Sequence, residues 1–122
     1  TKPAQRILVV DDTPFIRGLL KTILCQANFD VVGEASNGQE AIDMYKACLP
    51  DLVTMDVTMP VKSGIEALKE IMSSDPSARV IMCSSIEQRA TVIESVKNGA
   101  KGFILKPFEA EQVLDAVGKA LY

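Results

Sequence analysis

The chain has 122 residues, of which 48 % are apolar and 24 % charged, and it carries a net charge of −3. That is the size and make-up of one globular domain with a full hydrophobic core, and it excludes a chain that is disordered throughout. Its scattered basic residues exclude a nucleic-acid footprint and give no attraction to anionic membranes, and no apolar run approaches the roughly 20 residues of a membrane span.

Short apolar runs alternate with longer periodic ones. Ile7–Val10 is apolar and β-branched, which suits a strand buried on both faces. After Asp11 and Asp12, the residues Phe15, Ile16, Leu19, Leu20, Ile23 and Leu24 fall on one helical face. Thr13 is placed to cap that helix, with Pro14 at its first position. Asp30–Glu34 is a second strand whose weaker alternation puts it near an edge. Asn37-Gly38 marks a turn; Ala41, Ile42 and Tyr45 form a second helical face, which Pro50 stops. Leu52–Met55 is the third strand and ends at Asp56.

Met59-Pro60 and Ser63-Gly64 break the chain, and Ile65, Leu68, Ile71 and Met72 set a third helix that closes before Asp75-Pro76. Arg79–Cys83 is the fourth strand. Ser84 and Ser85 follow it, then a fourth helix carrying Val92, Ile93 and Val96, with Gly99 at its end. Gly102–Leu105 is the fifth strand and runs into Lys106-Pro107. The last helix presents Val113, Leu114, Val117 and Leu121.

Five βα units over residues 1–122, with no linker or low-complexity segment, predict a single α/β domain: a parallel sheet with helices on both faces. The flavodoxin-like strand order 2-1-3-4-5 is the natural one for five strands. In such sheets ligands bind beyond the carboxyl ends of the strands. There the sequence places Asp11 and Asp12 after strand one, Asp56 after strand three, Ser84 after strand four and Lys106 after strand five. In that order these four strands are neighbours, so three carboxylates, a hydroxyl and an amine share one rim.

Three carboxylates so gathered repel one another and call for a cation. Hard oxygen donors, with no histidine in the chain, suit Mg2+. The missing histidine also excludes Ser-His-Asp and Cys-His catalysis. The three cysteines, Cys25, Cys48 and Cys83, show no C-x-x-C spacing and point to a reducing, cytoplasmic compartment; Thr1–Gln5 is polar and holds no signal-peptide core. With a cation bound, one carboxylate could attack phosphorus, Lys106 and Mg2+ would neutralise the phosphoryl oxygens, and Ser84 could hydrogen-bond another. Each residue alone has an ordinary explanation: a helix cap, a loop carboxylate, a solvated lysine. Their joint placement at one rim is what argues for a site.

Taken with their order and spacing, Ile7–Asp12, Asp51–Pro60, Ser63-Gly64, Cys83-Ser84-Ser85 and Lys106-Pro107-Phe108 make the chain resemble the receiver domains of bacterial two-component response regulators, in particular the stand-alone chemotaxis regulators. The likeness covers essentially the whole chain. It implies a signalling switch, not an enzyme beyond its own phosphorylation and dephosphorylation. Asp56 would be the phosphoacceptor. Asp12, Asp56 and the backbone carbonyl of Thr58 would bind Mg2+ directly, with Asp11 assisting through water. Lys106 would contact the phosphoryl group and precede a cis proline. Ser84 would be the switch hydroxyl and Phe103 the aromatic switch residue. The implied partners are a histidine kinase as donor and a flagellar motor switch protein, or another protein target, bound at the face of helix four, strand five and helix five.

Three positions depart from the family pattern. Phe103 has no hydroxyl and reads equally as a core residue of strand five. Val61-Lys62-Ser63 is less acidic than usual, and Thr58 and Ile86 stand where the family varies. Three rivals remain at this level. A haloacid-dehalogenase-type phosphatase would want an acid where Thr58 stands, and a flavodoxin-like cofactor binder would want a Ser/Thr/Gly-rich first loop. The third is the receiver fragment of a longer regulator.

Overall fold

The apolar runs form five parallel strands in the order β2-β1-β3-β4-β5, in a computed structural model that describes residues 3–122. The strands are β1 (Arg6–Val10), β2 (Asp30–Ala35), β3 (Leu52–Asp56), β4 (Val80–Ser84) and β5 (Gly102–Leu105). Between and after them run α1 (Pro14–Gln26), α2 (Gly38–Cys48), α3 (Gly64–Ser74), α4 (Arg89–Lys97) and α5 (Ala110–Leu121). A single 3-10 turn, Ile86–Gln88, precedes α4. The expected α/β architecture and strand order are both present.

Every residue of β3 and β4 is buried, the polar Thr54, Asp56 and Ser84 included, as befits central strands that are mostly apolar. Alternate side chains serve two cores. Leu8, Val10, Val53, Met55, Val80 and Met82 pack under Ile42, Tyr45, Leu68 and Ile71 from α2 and α3. Ile7, Val9, Leu52, Ile81 and Ile104 pack under Leu20, Leu24, Val113 and Val117 from α1 and α5. The uneven pattern of β2 has a physical cause. It is an edge strand, and its pairing with β1 shifts register between Ile7 and Leu8.

Polar residues at the breaks set the helix starts. Asn37 Oδ1 accepts the Glu40 N–H at 2.9 Å, and Ser63 Oγ accepts the Glu66 N–H at 3.2 Å. Thr13 holds the N-cap position of α1, but its hydroxyl makes no cap bond; instead Asp11 Oδ1 accepts the Thr13 N–H. Gly99 lies just past α4 with φ of +102°, the left-handed conformation that stops a helix.

Two expectations need correction. Strand four runs Val80–Ser84 rather than Arg79–Cys83, because the β3 ladder pairs Val53 with Val80 and carries on to Asp56 and Cys83. The inward face of α4 is also not Val92, Ile93 and Val96. Ile93 and Val96 are more than half exposed, and the buried residue is Ser95. Ser95 can face inward because its hydroxyl donates to the Thr91 carbonyl at 2.8 Å, so nothing polar is left unpaired.

Candidate functional site

The strand ends converge as the topology demands. Continuing the alternation along β1, β3 and β5 puts Asp11, Asp56 and Lys106 on the α1/α5 side of the sheet. The Lys106 ammonium stands 2.9 Å from Asp11 Oδ2 and 3.1 Å from Asp56 Oδ1. Asp11 is fully buried. Its other oxygen holds the Thr13 N–H at 2.9 Å, which fixes the turn into α1. Asp12 is exposed at the mouth. One carboxylate oxygen from each of Asp11, Asp12 and Asp56 lies within 4.8 Å of the others.

Electrostatics follow from this crowding. Burial pushes the Asp56 carboxyl up to about 6, and Asp11 adds to the rise, while Lys106 opposes it. Burial would lower the Lys106 pKa, but its bonds to Asp11 and the field of Asp56 outweigh that and hold it above its ordinary value. One ammonium thus serves two buried carboxylates, with a third beside them. The donor set is oxygen only, with a net negative charge, and it fits a hard divalent cation.

Ser84 closes β4 on the opposite face. Its hydroxyl is buried and has no hydrogen-bond partner, a state that costs free energy and suits a group waiting for an acceptor. Register pairs Ser84 with Leu105 and Met82 with Phe103, so Ser84, Phe103 and Leu105 share the side of the sheet that faces α4. Phe103 is 50 % exposed, which rules out the reading of it as a core residue. A groove of about 230 Å3 opens beside it, lined by Ser84, Val92, Phe103 and Leu105 among others. The Lys106-Pro107 peptide is cis.

Two contributors, Arg17 and Gln88, escaped the reading of the sequence, and the structure adds a steric reason for the glycine of Ser63-Gly64. Arg17 on α1 donates to the Asp11 carbonyl at 2.6 Å and pairs with Glu34 at 3.2 Å, bracing the acidic turn. Gly64 passes so close to the Asp56 carbonyl that a Cβ could not fit there. Gln88 donates to Thr58 Oγ1 at 2.6 Å and accepts the Ser85 N–H at 2.8 Å. Ser85-x-x-Gln88 is a capping-box pattern, which was legible; the reach of Gln88 to Thr58 was not.

Comparison with known proteins fixes the class of this fold and site. The response regulator receiver domain family matches residues 7–118, and the chain belongs to it. Receivers of this family are phosphorylation-activated signalling switches rather than classical enzymes. Among curated relatives, the chemotaxis protein CheY of Bacillus subtilis is 53 % identical over 118 residues, covering 97 % of this chain and 98 % of that one. CheY of Thermotoga maritima is 52 % identical over 115 residues, covering 94 % and 96 %. Among solved structures, the CheX-CheY-BeF3-Mg complex from Borrelia burgdorferi superposes with a TM-score of 0.93 at 37 % identity, over 97 % of this chain and 90 % of that one. No helix among the described residues is long and apolar enough to cross a membrane.

Proposed function

We propose that this receiver works in chemotaxis signalling in the cytoplasm, takes a phosphoryl group on Asp56 from a histidine kinase, and answers by reshaping the α4–β5–α5 face for a protein target. The observation that carries this is the Lys106 ammonium held between the two buried carboxylates of Asp11 and Asp56, with an oxygen of Asp12 within 4.8 Å of theirs. Identity above 50 % with chemotaxis receivers over nearly the whole length supports the pathway. The target it fits is a flagellar motor switch protein. Residues 1–122 act as one receiver unit.

Asp12, Asp56 and the Thr58 carbonyl would hold Mg2+, with Asp11 through water. The ion would neutralise charge on the phosphoryl oxygens and so permit attack by an anion. An Asp56 oxygen bonds to phosphorus as the bond from phosphorus to the donor's imidazole nitrogen breaks. Lys106, already 3.1 Å from that carboxylate, turns to a phosphoryl oxygen. Ser84 then finds the acceptor it lacks, and donates to another phosphoryl oxygen. Its shift opens room beside it, and Phe103 turns from solvent into the neighbouring groove.

The test is the intact mass after incubation with acetyl phosphate, with and without Mg2+, for wild type and Asp56→Ala. A Mg2+-dependent gain of one phosphoryl group that the variant lacks is the expected result. No gain in any condition overturns the proposal.

A further inference from the structure

Gln88 belongs neither to the strand ends nor to the acidic cluster, yet its carboxamide joins both loops beside Asp56. Its oxygen accepts the Ser85 N–H at 2.8 Å, and its nitrogen donates to Thr58 Oγ1 at 2.6 Å. A backbone N–H can only donate, so the oxygen must face Ser85 and the nitrogen is left for Thr58. Both ends of the amide are committed and its orientation is fixed.

What it joins gives the bridge its meaning. Thr58 lies two residues past Asp56, on the loop that leads to α3. That loop is pinned elsewhere by backbone bonds, Gly64 N–H to the Val57 carbonyl at 2.8 Å and Gly38 N–H to the Lys62 carbonyl at 2.9 Å. Among the described residues, the bridge to Gln88 is the only side-chain hydrogen bond made by residues 57–61. At its other end, Ser85 follows Ser84, whose buried hydroxyl has no partner. A continuous path therefore runs from Thr58 through one carboxamide to the backbone that carries Ser84.

We propose that Gln88 is a positioning residue, whose carboxamide couples the backbone at Thr58 to the Ser84–Ser85 backbone, so that cation binding at one end and the placement of Ser84 at the other are not independent. This rests on the assignment of the Thr58 carbonyl as a Mg2+ ligand. Gln88 touches neither the ion nor the phosphoryl group.

The test compares wild type, Gln88→Ala, Thr58→Val and the double variant. In metal-free protein, exchange of the Ser85 amide hydrogen is followed by NMR. Thr58→Val leaves the acceptor of that amide in place but frees it at the far end, so exchange quickens several-fold. Mg2+ affinity is then measured by calorimetry. Each single variant binds about 3- to 10-fold more weakly, below the range of groups bonded directly to a ligand, and the double variant loses no more than Gln88→Ala alone. Unchanged Ser85 exchange in Thr58→Val, wild-type Mg2+ affinity in Gln88→Ala, or additive losses would each overturn the coupling. Wild type that binds Mg2+ with this coupling but takes no phosphoryl group from acetyl phosphate would end the proposed function and leave the coupling standing.

Discussion

Lys106 Nζ lies 3.1 Å from Asp56 Oδ1, although the two residues are 50 apart in the chain. The same ammonium holds the fully buried Asp11. Lys106→Met removes the one cation from this group of carboxylates and leaves buried charge unmatched. In EDTA the variant should lose about 2–4 kcal/mol of stability. Added Mg2+ should restore much of it by binding the folded state. Urea denaturation with and without Mg2+ checks both halves, and a variant as stable as wild type in EDTA would show that the pairing is not needed.

Asp56 keeps its proton in the folded protein to about pH 6, against 3.8 for the free group. Between those values the folded state binds a proton that the unfolded chain has released. Stability from this group therefore falls as pH rises through the window, and the full cost stands above it. Without metal, Asp56→Asn should be more stable than wild type by about 1–3 kcal/mol at neutral pH, with the gain shrinking toward zero near pH 4. Melting curves across that range test it; a gain that does not change with pH would contradict the buried carboxyl as its source.

Ser84→Ala removes a buried hydroxyl that has no partner. Relief of that unpaired group should leave the resting protein as stable as wild type or up to about 1 kcal/mol more so. Phosphorylation should still proceed, while the α4–β5–α5 face should no longer respond. Phe103 ring shifts, read by NMR before and after acetyl phosphate, decide the matter. A wild-type response in the variant would sink the switch role of Ser84.

Gly64 has no room for a side chain, because a Cβ would collide with the carbonyl of Asp56. Gly64→Ala should cost about 2–4 kcal/mol, and it should act on the site as well as on the fold, by pushing the Asp56 backbone. Equal stability of variant and wild type in a denaturant series would show that the loop gives way freely. A different strain sits two residues past Met59, at Val61, an exposed β-branched residue with φ of +68°. Val61→Asn should raise stability by about 0.5–1 kcal/mol, since asparagine accepts that conformation more readily.

The sheet was readable because central strands are mostly apolar, and Ile7–Val10, Leu52–Met55 apart from Thr54, and Val80–Cys83 are. The rim was readable for a related reason: Asp11, Asp56 and Lys106 each stand at the carboxyl end of a strand, and the strand order brings them together, which no single cap or solvated charge explains. Helix α4 was misread because period alone favours Val92, Ile93 and Val96. Burial of Ser95 depends on a bond to its own backbone that no pattern of apolar residues reveals. Arg17 and Gln88 were missed since their bonds cross between elements, and spacing along one element cannot show which residue lies opposite on another.

Asp11, Asp56 and Lys106 hang from one face of the sheet; Ser84, Phe103 and Leu105 hang from the other. On the reading proposed here, that parity separates inheritance into two ledgers. Substitutions at Phe103 and Leu105 would change which protein listens. Those at Asp11, Asp56 and Lys106 would spoil the chemistry. Descendants of such a chain can exchange listeners over generations without having to reinvent how the message is written.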